Sequence, residues 1–279
     1  MIERLNFFDL YAYLLPGLAW MVLVAVPYVF TSGRAISADW LSAVAGVTAG
    51  YLLGHVLYAS ARRVPWFETR RDGLNESQRL LDPTDGTLTK EVKDRIAKRA
   101  TNLWGLPLPA GDAQRQQLFD LARAFLLAKK LPSYAEQMQG MQCLARGFAA
   151  ALFLASASFL GHLLFLFRDA LDARLTAWFG VKTPAAQVLF LLCAVGLCAL
   201  AWYERREFKW FWFLFLVLLS MVTGNALASQ TGGVITAWAM LLCTVSALVL
   251  PFLFVQTARR FAREFAKQVY LALAATDDR

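Results

Sequence analysis

Long stretches without any charged side chain constrain this chain more than any other feature. Four of them are 21 to 24 residues long and a fifth extends over 49 residues; they cover 10–33, 40–61, 147–167, 183–203 and 210–258. About 20 helical residues cross a bilayer core about 30 Å thick, so each of the first four can form one span. The fifth contains the polar, glycine-rich sequence 229–233, which predicts a turn between two spans at 211–228 and 234–255.

These stretches predict an all-α, polytopic membrane protein with six transmembrane helices and a helical cytoplasmic insert between the second and the third. The composition agrees, because 58% of the residues are hydrophobic and 17% are charged, against about 45–50% and about 25% in soluble domains. Six such stretches disfavour the alternative of buried helices in a soluble protein. The predicted organisation is two spans in 1–61, the insert in 62–146, four spans in 147–258 and a cytoplasmic tail in 259–279.

Basic residues are distributed unequally between the predicted loops. Of the 28 Lys and Arg residues, 24 fall in the termini, the insert and the loop around 205–209, and four fall on the other side. The positive-inside rule therefore predicts a bacterial inner-membrane protein with both termini and the insert in the cytoplasm. The net charge of +8 then faces anionic headgroups, so the bilayer is the expected partner. No nucleic-acid-binding motif is present, which makes a nucleic-acid partner the weaker interpretation.

The insert has a helical pattern of its own. Apolar residues recur at spacings of three and four in Thr87–Leu103, and a second helix is expected at about 113–131 with Asp112 as its cap. Ser133 to Glu136 matches a capping box, and nothing interrupts a helix from Tyr134 to about Phe167. A helix of that length, about 51 Å, exceeds the bilayer core, so the third span is predicted to continue into the insert. The insert is large enough to bind a cytoplasmic protein partner.

Motifs for catalysis, metal binding and cofactor binding are missing from the sequence. It contains no P-loop, no G-x-G-x-x-G, no G-x-S-x-G and no H-E-x-x-H. The cysteines Cys143, Cys193, Cys198 and Cys243 form no C-x-x-C pair and are interpreted as small hydrophobic residues. We therefore expect a protein that is not an enzyme, with no catalytic residues, no metal and no cofactor.

Four polar residues lie within predicted spans or next to the end of one and are candidates for a pore or a polar site: His55, His162, Asn225 and Gln230. Polar groups in spans normally face the bundle interior or water. The favoured interpretation of each histidine is a hydrogen bond between helices beside a close contact of the preceding glycine, Gly54 or Gly161. For Asn225 and Gln230, capping of a helix end is favoured over a pore mouth.

Other candidates act through packing or charge. Pro16 and Gly17 are expected to kink the first span, and Gly54 is expected to allow a close helix contact. Basic residues next to predicted spans could bind lipid headgroups or a partner, although their role in topology explains them equally well; these are Arg62, Arg63, Arg70, Arg71, Arg205, Arg206, Arg259 and Arg260.

Two local sequences resemble a known group of proteins. Phe8 to Gly17 follows the pattern F-D-x-x-x-Y-L-x-P-G, and Tyr51 to His55 follows Y-x-x-G-H. Together they resemble a loose class of uncharacterised bacterial inner-membrane proteins whose genes often accompany anti-phage defence genes. The resemblance extends over about 60 residues and implies Pro16, Gly17, Gly54 and His55 as shared positions. It also implies a role as a membrane effector or sensor, and it implies no substrate.

Three functions remain open at this point. The favoured one is a non-enzymatic homo-oligomer that couples a cytoplasmic signal to membrane permeability, in the context of anti-phage defence. A small-solute or ion transporter or channel is the alternative, although no carboxylate falls in the middle of a span. A lipid-acting enzyme would need the acidic residues Glu68, Asp72 and Glu76, but Arg70, Arg71 and Arg79 interleave with them.

Overall fold

The fold is all-α throughout the part of the chain that the structure describes. The computed structural model describes residues 9–32, 40–62, 74–106, 111–129, 133–167, 169, 172–173, 177, 216–222, 224 and 237–276. The helices are α1 Leu15–Ser32, α2 Trp40–Ala61, α3 Glu76–Leu80, α4 Lys90–Trp104, α5 Asp112–Ala128, α6 Ser133–Leu166 and α7 Ala237–Ala275. The predicted fold class is confirmed at this level.

Three of the described helices are long and apolar enough to cross a membrane. They are Ser42–Ala59 in α2, Ala135–Leu166 in α6 and Ala239–Ala275 in α7. A shorter apolar stretch, Leu10–Ala25, lies in the first predicted span. The predicted span 183–203 lies outside the described residues, and only 216–222 and 224 are described in the span predicted at 211–228. The count of six spans therefore stays a prediction.

The first apolar helix begins with a wider turn. Leu10–Leu14 is π-helical and leads directly into α1. Pro16 follows two residues later, and because proline has no amide hydrogen it cannot donate to the carbonyl of Ala12, four residues earlier. The helix therefore continues through Pro16, and the π-helical turn Leu10–Leu14 contains Ala12, whose carbonyl lacks the hydrogen bond from Pro16.

The chain divides into two compact units. The insert unit comprises 1–12, 69–145 and 255–279, and the span unit comprises 13–68 and 146–254. Helix α6 passes from one unit to the other between Ala145 and Arg146, and α7 does so between Phe254 and Val255. Both helices continue through the boundary without a loop.

The core of the insert unit is formed by α4, α5 and the last part of α7. Phe119 of α5 lies between two aromatic residues of α7, with its ring centroid 5.8 Å from that of Phe265 and 5.7 Å from that of Tyr270. Tyr270 is completely buried, and its hydroxyl donates a hydrogen bond of 3.0 Å to the carbonyl of Ser77. The C-terminal part of α7, predicted as a tail, is thus a central element of this core.

The predicted helices of the insert are present with small differences. Helix α4 buries Leu88 before its start, together with Ile96 and Ala100, as the pattern predicted. The predicted burial of Leu103 is wrong, since 39% of this residue is exposed. Its neighbour Trp104 packs on Phe125 instead, and the helix ends at Gly105, whose φ of 65° favours glycine.

Other corrections concern the ends of the elements. Helix α5 starts at Asp112, with Gly111 rather than Asp112 at the N-cap position. Helix α6 occupies Ser133–Leu166, within one residue of the predicted bounds. Helix α3 was not predicted; the Asn75 amide before it donates a hydrogen bond of 2.7 Å to Oε1 of Gln78, as in a capping box.

In the span unit, α1 and α2 approach each other at glycines. A Cβ on Gly54 would lie 1.7 Å from the carbonyl oxygen of Tyr13, and one on Gly17 would lie 1.8 Å from that of Gly50. Two backbones can come this close only because a glycine, which has no side chain, is present at each of the two contacts. The close helix contact predicted for Gly54 is therefore present, and Gly17 takes part in it. The predicted kink at Pro16 and Gly17 stays a prediction.

A second close contact joins α6 to the helical segment around 216–224. A Cβ on Gly161 would lie 2.1 Å from the Met221 carbonyl oxygen, and one on Gly224 would lie 1.8 Å from the Ser158 carbonyl oxygen. In contrast, α7 presents a broad apolar face, where 70% of Leu242 and 70% of Phe252 are exposed. Such a face is expected where lipid is the solvent.

Substituting Gly54 tests the close packing of α1 on α2. The added methyl group of Gly54→Ala must displace the backbone at Tyr13, and overpacking of this kind costs about 1–3 kcal/mol. We expect the melting temperature of the purified protein in detergent to fall by about 2–10 °C.

Gly46→Ala is the matched control, since no described atom lies within 4 Å of a Cβ at that position of the same helix. We expect it not to lower the melting temperature and to raise it slightly, because alanine favours a helix interior by about 0.5–1 kcal/mol over glycine. Equal melting temperatures for the two variants would contradict the packing described for Gly54.

Candidate functional site

Polar and aromatic residues form a stripe on one face of α2. Tyr51, His55, Tyr58 and Arg62 follow each other at spacings of four, three and four residues. This spacing places all four positions on one side of an α-helix, with Arg62 directly after its last turn. Together with Tyr13, which precedes α1, these residues are called the His55 cluster below.

Tyr13 is at the centre of the His55 cluster. Its ring stacks on the imidazole of His55 with 3.7 Å between centroids and an interplanar angle of 18°. It also meets Tyr58 edge to face at 5.2 Å and Tyr51 at 6.1 Å. Tyr51 in turn meets His55 edge to face at 4.6 Å. The close approach of the backbones at Gly54 is what brings Tyr13 within reach of α2.

His55 and Arg62 are the exposed residues of the cluster. His55 is exposed, and within the described part of the chain its contacts are the two ring contacts with Tyr13 and Tyr51. The guanidinium of Arg62 lies 5.6 Å from the centroid of the Tyr58 ring, and no described carboxylate forms a salt bridge with it. The cluster therefore presents one cation and one unoccupied imidazole on a rigid aromatic support.

His162 has a different environment, although it also follows a glycine. It is completely buried in the span unit, as is Ser158 one turn earlier on α6. Ser156, Ser220 and Thr244 are buried polar residues of the same unit. The hydroxyls of Ser156 and Thr244 donate to carbonyls of their own helices, at 2.6 Å and 2.8 Å. The Ser158 hydroxyl has no hydrogen-bond partner in the described part.

The remaining predicted site residues are only partly described. Asn225, Gln230, Arg63, Arg70, Arg71, Arg205 and Arg206 lie outside the described residues. Arg259 is half-buried and Arg260 is exposed, both on α7 in the insert unit. Of the three acidic residues considered for a lipid-acting enzyme, only Glu76 is described. Neither Cys143 nor Cys243 forms a disulfide bond with another described residue.

A cluster of charges in the insert unit was missed by sequence reasoning. It surrounds the loop Asp82-Pro83-Thr84-Asp85-Gly86-Thr87, in which Asp82 accepts from the amide of Thr84 and Asp85 accepts from that of Thr87. The Lys93 ammonium of α4 donates to the carbonyls of both aspartates, at 2.5 Å and 2.6 Å. The repeated Asp-x-Thr pattern is a turn signal that could have located this loop.

Two arginines connect the loop to other helices of the insert unit. Arg115 of α5 lies 3.0 Å from a carboxylate oxygen of Asp82, and Arg263 of α7 lies 2.8 Å from one of Asp85. Arg263 also donates to the hydroxyl of Thr87. The loop therefore holds α4, α5 and α7 together by ionic contacts between residues far apart in sequence.

These contacts shift the pKa of both aspartates downwards. Hydrogen bonds from the hydroxyl and the amide of Thr84, and then one from Arg115, lower the pKa of Asp82 to about 2. Burial raises the pKa of Asp85, but hydrogen bonds from Thr87 and the charges of Arg263 and Lys93 outweigh it, so that its pKa is lowered. Both groups are therefore ionised and occupied by structural contacts, which does not suit them for proton transfer.

A metal site is not formed by the described residues: no group of three or more His, Cys, Asp or Glu side chains within them could hold a metal ion. Comparison of the chain with protein-family models, with curated proteins and with solved structures finds no match.

The Asp82 contacts make the stability of the insert unit dependent on pH. Because the folded-state pKa of about 2 is below the ordinary value of 3.8, Asp82 stabilises the fold above about pH 4, and this contribution is lost as the pH falls towards 2. We expect Asp82→Asn to melt at a lower temperature than the unsubstituted protein at pH 6, with a difference that shrinks between pH 4 and pH 2.

Thermal unfolding followed by circular dichroism in detergent measures this difference. Asp94→Asn removes the same charge from an exposed position of α4 and is the control, for which we expect no pH-dependent difference. A constant difference for Asp82→Asn over the whole pH range would show that its ionisation is not coupled to folding.

Proposed function

We propose that this protein is a non-enzymatic protein of the bacterial inner membrane that couples a cytoplasmic signal or partner to membrane permeability. The observation that carries the proposal is the continuity of α6 and α7. Each helix contributes residues to the insert unit and to the span unit, with no loop at the boundary. An event in the insert unit therefore has two hydrogen-bonded helices through which it can reach the spans.

The proposal places both termini and the insert in the cytoplasm and assumes six spans. The unequal distribution of the 28 basic residues supports this orientation. The three described helices that are long enough to cross a membrane support the membrane location. A role in anti-phage defence comes from the resemblance of Phe8–Gly17 and Tyr51–His55 to inner-membrane proteins encoded near defence genes.

The insert unit has the features of a part that responds to a partner. Helix α7 is held there by the ion pair of Arg263 with Asp85 and by the hydrogen bond of Tyr270 to Ser77. Suppose that α7 can pack in a second way in the insert unit. A partner that binds α4 or α5 more tightly when α7 has this second packing would raise the population of that packing. Because α7 is continuous, that change extends to the residues of α7 in the span unit.

A homo-oligomer is the form in which the spans would change permeability. The exposed apolar face of α7, which includes Leu242 and Phe252, can meet lipid or the same face of another copy. Rearrangement of such contacts between copies would open a path that a single copy need not contain.

A small-solute or ion channel is the second candidate, because His162 and Ser158 are completely buried polar residues in an apolar helix. The two candidates differ in the size of what crosses the membrane. A channel lined by His162 would pass ions and exclude a dye of several hundred daltons, whereas an oligomeric effector would release both.

Permeability of proteoliposomes tests the proposal. We expect vesicles with the full chain to release carboxyfluorescein and K⁺, either without addition or after addition of lysate from phage-infected cells. Arg263→Gln removes the ion pair with Asp85 and should lower the release rate about five-fold. This factor is at the lower end of the effects that typical coupling free energies between two sites produce. Glu264→Gln, at the neighbouring exposed position of the same helix, should leave the rate unchanged.

Each outcome of this experiment tests a different part of the proposal. Release of K⁺ without the dye would favour the channel over the effector. Absence of both, with and without lysate, would refute control of permeability. Equal release by Arg263→Gln and the unsubstituted protein would refute coupling through α7.

A further inference from the structure

Two members of the His55 cluster, His55 and Arg62, have polar groups that the described residues leave unoccupied at the end of a span. His55 lies four residues before Ala59, the last residue of the apolar stretch Ser42–Ala59, and Arg62 lies three residues after it. At about 1.5 Å per residue, His55 is about 6 Å inside the apolar stretch. An imidazole N–H without a partner at that depth is costly, so a partner from outside the chain is expected.

Arg62 is positioned to share that partner. Side chains of a helix lean towards its N-terminus, and the Arg62 guanidinium accordingly lies over the ring of Tyr58, one turn back towards His55. Its contact with the Tyr58 ring leaves its N–H groups free for an acceptor, and the guanidinium matches the oxygens of a phosphate group.

Apolar residues next to the stripe complete the surface. Leu52 is 61% exposed and Val56 is 42% exposed. By helical geometry, they form a ridge beside Tyr51, His55 and Tyr58, on the side away from Gly50 and Gly54. The surface thus has a cation and a hydrogen-bonding imidazole near the end of the span and an apolar strip leading towards its middle.

We propose that the His55 cluster is a binding site for the phosphate group of an anionic phospholipid. The phosphate lies between the Arg62 guanidinium and an imidazole nitrogen of His55, and an acyl chain of the same lipid lies on Leu52 and Val56. Tyr13 holds the ring of His55 and the ring of Tyr58, on which Arg62 lies. Because the two polar groups are already positioned, little conformational freedom is lost when the lipid binds.

Charge and geometry favour a lipid over a second copy of the chain. A two-fold pair formed by this face, with its axis along the membrane normal, would place Arg62 of both copies at the same depth and the same end of the interface, so that like charges would face each other without an anion. A phosphate at the membrane interface supplies the opposite charge at the depth where Arg62 lies. A soluble phosphate lacks the acyl chain that would cover Leu52 and Val56.

Native mass spectrometry of the full chain in detergent, titrated with phosphatidylglycerol or phosphatidylcholine, tests this site. We expect phosphatidylglycerol to bind about ten-fold more tightly than phosphatidylcholine. Arg62→Gln and His55→Phe should each weaken phosphatidylglycerol binding about ten-fold, as expected for loss of a charge-assisted hydrogen bond. His55→Gln, which keeps a donor, should weaken it less than His55→Phe.

Lys98→Gln, at an exposed position of α4, is the control for net charge and should leave lipid affinity within two-fold of the unsubstituted protein. Inorganic phosphate at 10 mM should not displace the lipid, and displacement would assign the site to a soluble phosphate.

Equal affinity of the unsubstituted protein for the two lipids would overturn the proposal, as would unchanged affinity in both Arg62→Gln and His55→Phe. A change of oligomer mass in His55→Phe without a change of lipid affinity would assign the face to a second copy. These readouts are independent of vesicle permeability.

Discussion

Satisfaction of backbone hydrogen bonds within the helix is the constraint on which the rest of the structure depends. In hydrocarbon no water is present to replace a lost bond, so an apolar segment remains helical through residues that interrupt helices in water. The structure shows this at Pro16 and at Pro251, which both lie within helices. Helices α6 and α7, 34 and 39 residues long, continue beyond the length that a bilayer requires, and their additional turns belong to the insert unit, where residues such as Ala135 and Tyr270 pack in its core.

The insert unit follows other rules, because water surrounds part of it. Its core is apolar, but its loop at 82–87 is ordered by charge: a lysine on the loop carbonyls and an arginine on each aspartate. Partly exposed ion pairs contribute little singly, whereas a network that shares its partners contributes more. Since Arg263 belongs to α7, the network also fixes the part of α7 that would transmit a change to the spans.

The sequence predicts those features that depend on residues close together along the chain. Helix α6 was placed within one residue because Pro132 and the following serine mark its start and nothing interrupts it before Phe167. The exposure of Leu103 was not predicted, because it depends on the packing of Trp104 against Phe125 from another helix. The His55 cluster needs the contact of Tyr13 with α2, which the sequence does not show. The spacing of Tyr51, His55, Tyr58 and Arg62 was nevertheless visible and indicates the shared face.

The two histidines show how the same local sequence can have two environments. His55 and His162 each follow a glycine that touches the backbone of another helix. At Gly54 that contact leaves His55 exposed, with Tyr13 covering one side of its ring. At Gly161 the contact is with the backbone of Met221, and His162 is completely buried. An exposed imidazole can reach a ligand from outside the chain and a fully buried one cannot, so burial rather than residue type separates the two positions.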